Sequence, residues 1–178
     1  MRINVAKIRK AFGASEVFEF RELLEGMDAE DAAVKITRPV EVRVKVTNVG
    51  NSLLLEGKIC AEVKLSCSRC LEVFTLQVEP EFSEEVCHAA DEQAYLADHP
   101  EAAKEEDYTL LTSDELELAP LVGEQVVLNI PMKPLCSEAC QGLCPKCGLN
   151  LNEQKCNCDL EPVDPRLAGL AEFFKRDQ

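Results

Sequence analysis

Residues 39–70 read PVEVRVKVTNVGNSLLLEGKICAEVKLSCSRC. Val40, Val42, Val44 and Val46 take alternate positions, with Glu41, Arg43 and Lys45 between them. This period of two predicts a strand with one buried face and one wet face. The tetrapeptide NVGN predicts a turn. The chain then alternates again: Leu55, Ile59, Ala61, Val63 and Leu65 share one side, and Glu56, Lys58, Glu62 and Lys64 the other, with Cys60 on the polar side. CSRC follows, and beyond it Phe74, Leu76, Val78 and Phe82 define the common face of a third strand. Three adjacent antiparallel strands are expected, with CSRC at the tip between the second and third.

Upstream, SEVFEF (Ser15 to Phe20) alternates as a strand after a turn at Gly13, and Arg2, Lys7, Arg9 and Lys10 form a small basic head. RELLEGMDAEDAA reads as a short helix or a loop. Downstream, Glu84 to Asp107 holds nine acidic residues against one lysine, together with both histidines, His88 and His99. That composition predicts a solvated acidic loop or a poorly ordered helix, with a partner-binding acidic segment as the alternative. In TLLTSDELELAPLVGEQVVLNIP, the apolar spacing predicts an amphipathic helix near 118–129 that stops before Pro131. Near the C-terminus, VDPRLAGLAEFFKRDQ offers Asp164 as an N-cap and Pro165 at the first helical position, with Leu167, Leu170, Phe173 and Phe174 as one stripe.

The chain of 178 residues has a formal charge of −14. Such an excess of acid repels polyphosphate and argues against a broad nucleic-acid footprint. The sequence shows no signal-peptide h-region and no apolar run of membrane-spanning length, which predicts a cytoplasmic protein with no membrane partner. In a reducing compartment, ten cysteines point to metal ligands or redox thiols rather than structural disulfides. No Ser-His-Asp set, phosphate-binding glycine loop or catalytic zinc signature is present. No enzyme activity and no small-molecule substrate are expected.

Eight cysteines fall in clusters: Cys67 and Cys70, Cys136 and Cys140, Cys144 and Cys147, Cys156 and Cys158. Cys-x-x-Cys is a tight turn that aims two sulfurs at one metal, and Gly148 after CPKC tolerates the positive φ with which such a turn ends. In the extended Cys156-Asn-Cys158, both sulfurs point to one side. Cys144, Cys147, Cys156 and Cys158 therefore make a compact four-thiolate set. Counting leaves Cys136 and Cys140 to join Cys67 and Cys70 in a second set, although either could trade places with a neighbour. Four thiolates with no open position describe structural zinc, so two zinc ions are expected. Cys60 and Cys87 are read as free thiols. Two competing functions attach to this region. One is direct RNA contact through Arg69, Lys146 and Lys155, which lie in or beside the cysteine motifs. The other is a redox switch in which oxidation releases zinc.

CSRC between two strands, then PMKPLCSEACQGLCPKCGLNLNEQKCNC, then DPRLAGL, closely resembles the YceD family of large ribosomal RNA subunit accumulation proteins. The likeness spans nearly the whole chain, including the INVAKI head and the LVGEQVVLNIP helix. The resemblance implies a bacterial or plastid ribosome-biogenesis factor that supports accumulation of large-subunit (23S) rRNA. Its partner would be a ribosomal or ribosome-assembly protein, or the large-subunit rRNA. The expected fold is α+β: an antiparallel sheet or partial barrel with a few packed helices and a C-terminal cysteine-rich zinc-binding module. Residues 1–133 form the mainly β domain, with the acidic loop 84–107. Residues 134–178 form the zinc module and a C-terminal helix, joined to the first part through Cys67 and Cys70.

Overall fold

The computed structural model describes residues 1–24, 34–101 and 109–158. In chain order the elements are β1 (Arg2–Asn4), α1 (Ala6–Arg9), β2 (Ser15–Glu22), β3 (Val34–Ile36), β4 (Val40–Asn48), β5 (Ser52–Ser66), β6 (Val73–Val78), β7 (Glu81–His88), α2 (Glu92–Asp98), β8 (Thr109–Leu111), β9 (Glu115–Glu117) and α3 (Ala119–Leu128).

The long strand β5 organises the sheet. The main path runs β2-β4-β5-β7-β8, and β3 and β6 add to the far half of β5. All these pairs are antiparallel except β7 with β8, which is parallel. The alternation seen in the sequence sets the faces. Val40, Val42, Val44 and Val46 are buried, as are Leu55, Ile59, Ala61, Val63 and Leu65. Each of the valine, leucine and isoleucine side chains contributes about 1.5–3 kcal/mol on burial. A slip of one residue in register would turn the whole set to water, so the pairing is strongly specified. The third strand is split: Phe74, Leu76 and Val78 lie in β6, whereas Phe82 lies in β7. Register is nevertheless continuous across the break, since Ala61 faces Val78 and Lys58 faces Glu81. Pro80 explains the interruption. It lacks an N–H for the ladder, yet its carbonyl accepts from Ile59 N–H at 2.9 Å.

Helix α3 closes the core. Pro120 sits in its first turn, and Leu118, Val122 and Val126, four residues apart, are fully buried against the sheet. At the other end of the sheet, Asn48 fixes the turn after β4. Its side-chain amide donates to the carbonyls of Ile8 (3.0 Å) and Arg9 (2.9 Å), and its Oδ1 accepts from Gly50 N–H at 2.8 Å.

Several expectations need correction. The N-terminal head is not a basic surface alone. Ile3 pairs with Leu116 in the small β1–β9 sheet, and Arg9 is held by Asp91 at 3.0 Å and by Asp114 at 2.5 Å. The acidic stretch 84–107 is not simply a loop. Glu84–His88 completes β7, with Val86 and Cys87 buried in it, and Glu92–Asp98 forms α2. Of RELLEGMDAEDAA, only its first residues are described, at the end of β2. The helix expected after Asp164 lies outside the described residues.

Candidate metal centres

The hairpin between β5 and β6 ends in a tight turn. Cys67 N–H donates to the Glu72 carbonyl at 2.8 Å, and Leu71 N–H donates to the Cys67 carbonyl at 3.0 Å. The same two bonds recur 77 positions later, where Cys144 N–H donates to Leu149 and Gly148 N–H to Cys144, both at 2.8 Å. Both Cys-x-x-Cys motifs thus fold as one type of knuckle. In each, the backbone N–H groups inside the turn point at the first sulfur. Arg69 N–H reaches Cys67 Sγ at 3.4 Å.

Around the first knuckle gather the sulfurs of Cys67, Cys70, Cys136 and Cys140, and around the second those of Cys144, Cys147, Cys156 and Cys158; within each group all four lie within 4.8 Å of one another. Cys67 Sγ is 3.8 Å from Cys140 Sγ, and Cys70 Sγ is 3.6 Å from Cys136 Sγ. Sulfurs at the corners of a tetrahedron with metal–sulfur bonds of about 2.3 Å lie about 3.8 Å apart. The observed spacings fit that figure and exceed a disulfide bond of about 2.05 Å. All ten cysteines are free thiols. Both groups suit a tetrahedral metal ion held by sulfur alone.

The first group is the joint between the sheet and the C-terminal module. Cys67, Cys70 and Cys140 are buried together, with Phe74, Leu135 and Leu143 packed on them. Phe74 also packs on the main core. Ser68 N–H donates to the Pro134 carbonyl at 2.8 Å. Gly142, at φ +75°, approaches so closely that a Cβ there would sit 3.0 Å from the Arg69 carbonyl. Two asparagines tie the groups to one another. Asn152, between the second group's cysteine pairs, donates to Cys140 Sγ at 3.3 Å and accepts from Gln141 N–H at 2.7 Å. Asn150 donates to Glu72 at 2.8 Å.

The electrostatics differ within each group. Burial pushes the Cys67 thiol up, but N–H groups of Cys70, Cys136 and Arg69 outweigh it and bring it down to about 6. The Cys144 thiol falls to about 6 through the N–H groups of Cys147 and Lys146. Asn152 is the main cause that lowers Cys140. By contrast, Cys136 is pushed up to about 12 by the Cys70 sulfur and by burial, and Cys158 to about 12 by the Cys147 sulfur and by burial. In each group the first cysteine of the knuckle is favoured as a thiolate, while the closeness of a neighbouring sulfur holds a later cysteine in its protonated form. A cation at the centre reverses that preference.

The other residues singled out in the sequence take separate places. Arg69 donates from one guanidinium nitrogen to the carbonyls of Cys140 (2.8 Å) and Glu138 (3.4 Å), so it braces the joint. Lys146 and Lys155 are exposed. Cys87 is buried in β7, where burial raises its thiol pKa, and Cys60 is half-buried on the polar face of β5. His88 Nδ1 accepts from Ala90 N–H at 3.0 Å, and His99 stacks on Tyr95 at 4.8 Å. Sequence reasoning missed Gly142, Asn150 and Asn152. The signal for the asparagines was GLNLN itself, because an alternating polar pair inside a metal loop has backbone or sulfur to serve.

No helix among the described residues is long and apolar enough to cross a membrane. The family described as "Large ribosomal RNA subunit accumulation protein YceD" matches residues 55–174, a span that contains both cysteine groups. An uncharacterized protein of Mycobacterium tuberculosis (strain ATCC 25618 / H37Rv) is 24% identical over 180 residues, covering 98% of this chain and 81% of its own length. The protein YlbN of Bacillus subtilis (strain 168) is 27% identical over 163 residues, 90% of each chain. A chloroplastic protein of Arabidopsis thaliana, named large ribosomal RNA subunit accumulation protein YCED homolog 1, is 30% identical over 160 residues; these cover 79% of this chain and 50% of the plastid protein. No solved structure matches the chain significantly.

Proposed function

Because the chain belongs to the YceD family, we propose that it is a non-enzymatic, zinc-stabilised accessory factor of ribosome biogenesis. In this reading it acts in the cytoplasm and supports accumulation of large-subunit rRNA. The match over residues 55–174 carries the proposal, since the family is described by that role. The named role of the Arabidopsis relative points the same way. The two sulfur groups support the structural half of the reading. Four thiolates fill a tetrahedral ion and leave no position for substrate or activated water, which is the pattern of structural zinc. Cys67, Cys70, Cys136 and Cys140 would hold one ion, and Cys144, Cys147, Cys156 and Cys158 the other. The metal supplies rigidity: it fixes the C-terminal module on the sheet.

The partner in this reading is a ribosomal or ribosome-assembly protein. A charge of −14 suits a basic protein, and four thiolates around a divalent ion make each loaded centre more negative still. Direct RNA contact through Arg69, Lys146 and Lys155 is the weaker reading, because the Arg69 guanidinium is engaged by two backbone carbonyls. Depletion of the chain in growing cells tests the proposal. The expected result is a fall in large-subunit rRNA and in mature large subunits, with small subunits spared. Normal levels of both would overturn it.

A further inference from the structure

The cations carried by the strands follow one rule, and two of them break it. Among the described residues, Arg2, Arg21, Arg43, Lys45 and Lys58 each lie 3.3–3.9 Å from a carboxylate. Lys35 in β3 and Lys64 in β5 have no such partner. The register shows what is different about them. Two cross-strand rows on the wet face hold a pair of cations. In the first, Arg43 faces Lys58, with Glu19 beyond Arg43 and Glu81 beyond Lys58, so that an acid closes each end. In the second, Lys35 faces Lys64, and the residue beyond Lys64 is Thr75. Like charges directly opposite one another on antiparallel strands destabilise the sheet, and no acid offsets that cost here. Glu62, two positions before Lys64 on the same face, is held by Arg38 at 2.8 Å. Ser66, two positions after Lys64, adds a second hydroxyl to the face. Lys35, Lys64, Ser66 and Thr75 are all exposed. In a chain of charge −14, this patch offers two ammonium groups, two hydroxyls and no carboxylate.

We infer that the row of Lys35, Lys64 and Thr75, with Ser66 beside it, is a phosphodiester-binding site through which the chain touches the backbone of large-subunit rRNA. Residues directly opposite on antiparallel strands have Cβ atoms about 4.5–5.5 Å apart, so both ammonium groups can reach one phosphate. Phosphate oxygens accept from ammonium and hydroxyl donors alike. The row holds no guanidinium fork for a base edge and no aromatic ring for stacking, so the contact is to backbone and indifferent to sequence. It lies open on the sheet, which suits a strand passing across it rather than an enclosed small anion. The acidic excess forbids a broad basic groove but leaves room for a contact one row wide. A basic ribosomal protein is repelled at this row and attracted elsewhere, so the two surfaces sort the two components of a precursor particle. This inference rests on the assembly-factor reading above and adds to it an RNA contact away from Arg69, Lys146 and Lys155.

The test uses full-length wild type, Lys35→Gln/Lys64→Gln, Lys64→Glu and, as a control on the same face, Lys45→Gln/Lys58→Gln. The probes are large-subunit precursor particles from cells depleted of the chain, the rRNA deproteinised from those particles, and polyglutamate. Wild type is expected to bind the deproteinised rRNA, with an affinity that falls as salt rises. Lys35→Gln/Lys64→Gln should bind it about tenfold more weakly or worse. Its log–log salt slope should be smaller by roughly 1.5, at about 0.7–0.9 per phosphate contact. Lys64→Glu sets a carboxylate opposite Lys35. It should abolish RNA binding while Tm stays level with wild type or rises by up to about 3 °C. The control pair should bind as wild type does. Equal affinity and slope in wild type and Lys35→Gln/Lys64→Gln overturns the inference. So does an equal loss in the control pair, which would mark bulk charge, or a fall of Tm in both row variants, which would mark a structural role. Polyglutamate binding that depends on the two lysines would assign the row to an acidic peptide instead. Wild type that binds particles but not the deproteinised rRNA sinks the row alone, whereas wild type that ignores both contradicts the assembly-factor reading as well.

Discussion

The group at Cys144, Cys147, Cys156 and Cys158 draws its four sulfurs from one short segment, whereas the group at Cys67, Cys70, Cys136 and Cys140 draws them from two segments 66 to 73 positions apart. Ligand type and knuckle geometry are the same, and in both groups the four sulfurs lie within 4.8 Å of one another. What differs is the length of chain each centre closes. Loop-closure entropy grows as the logarithm of that length, so closing about 66 residues rather than the nine positions from Cys147 to Cys156 removes about 2 kcal/mol more from the unfolded state. An ion in each set would therefore do unequal structural work. In the local set it would shape a loop, and in the long-range set it would fasten that loop to the sheet.

The largest expected effect separates the two centres directly. Cys67→Ser is expected to lower stability by about 2 kcal/mol more than Cys156→Ser, read as Tm in matched metal-loaded samples. Equal losses would mean that the sheet and the module are fastened by something other than the first centre. A smaller effect is expected where the two surfaces touch. Gly142→Ala combines a left-handed backbone with a Cβ 3.0 Å from the Arg69 carbonyl and should cost about 1.5 kcal/mol. Thermal denaturation measures it, and a neutral outcome would show that the joint tolerates slack. The smallest effects concern the polar braces. Arg69→Ala and Asn152→Ala should each lower stability by about 1 kcal/mol without loss of metal. Metal loss in Asn152→Ala would show that the bond to Cys140 Sγ is essential to the first centre.

The same contrast between local and distant explains what could be read from the sequence. Alternation over Val40–Val46 and Leu55–Leu65 revealed β4 and β5 because each is long enough for a period of two to stand out. Parity of the cysteine count linked Cys67 and Cys70 to Cys136 and Cys140, because leaving either pair alone leaves thiolates without a site. The three-residue strands β1, β8 and β9 and the four-residue α1 are too short to show a period; only tertiary pairing, such as Ile3 with Leu116, creates them. The stretch from Glu84 looked solvated by composition, yet Val86 and Cys87 are buried because β7 continues the register of β6 past Pro80.

Metal content per chain is the most direct measurement of the central claim, that two independent four-thiolate centres divide the work of shaping and fastening. Native mass spectrometry should find two zinc ions in the wild type, one in Cys67→Ser/Cys70→Ser and one in Cys156→Ser/Cys158→Ser. A single ion in the wild type, or loss of both ions from either double variant, would contradict it.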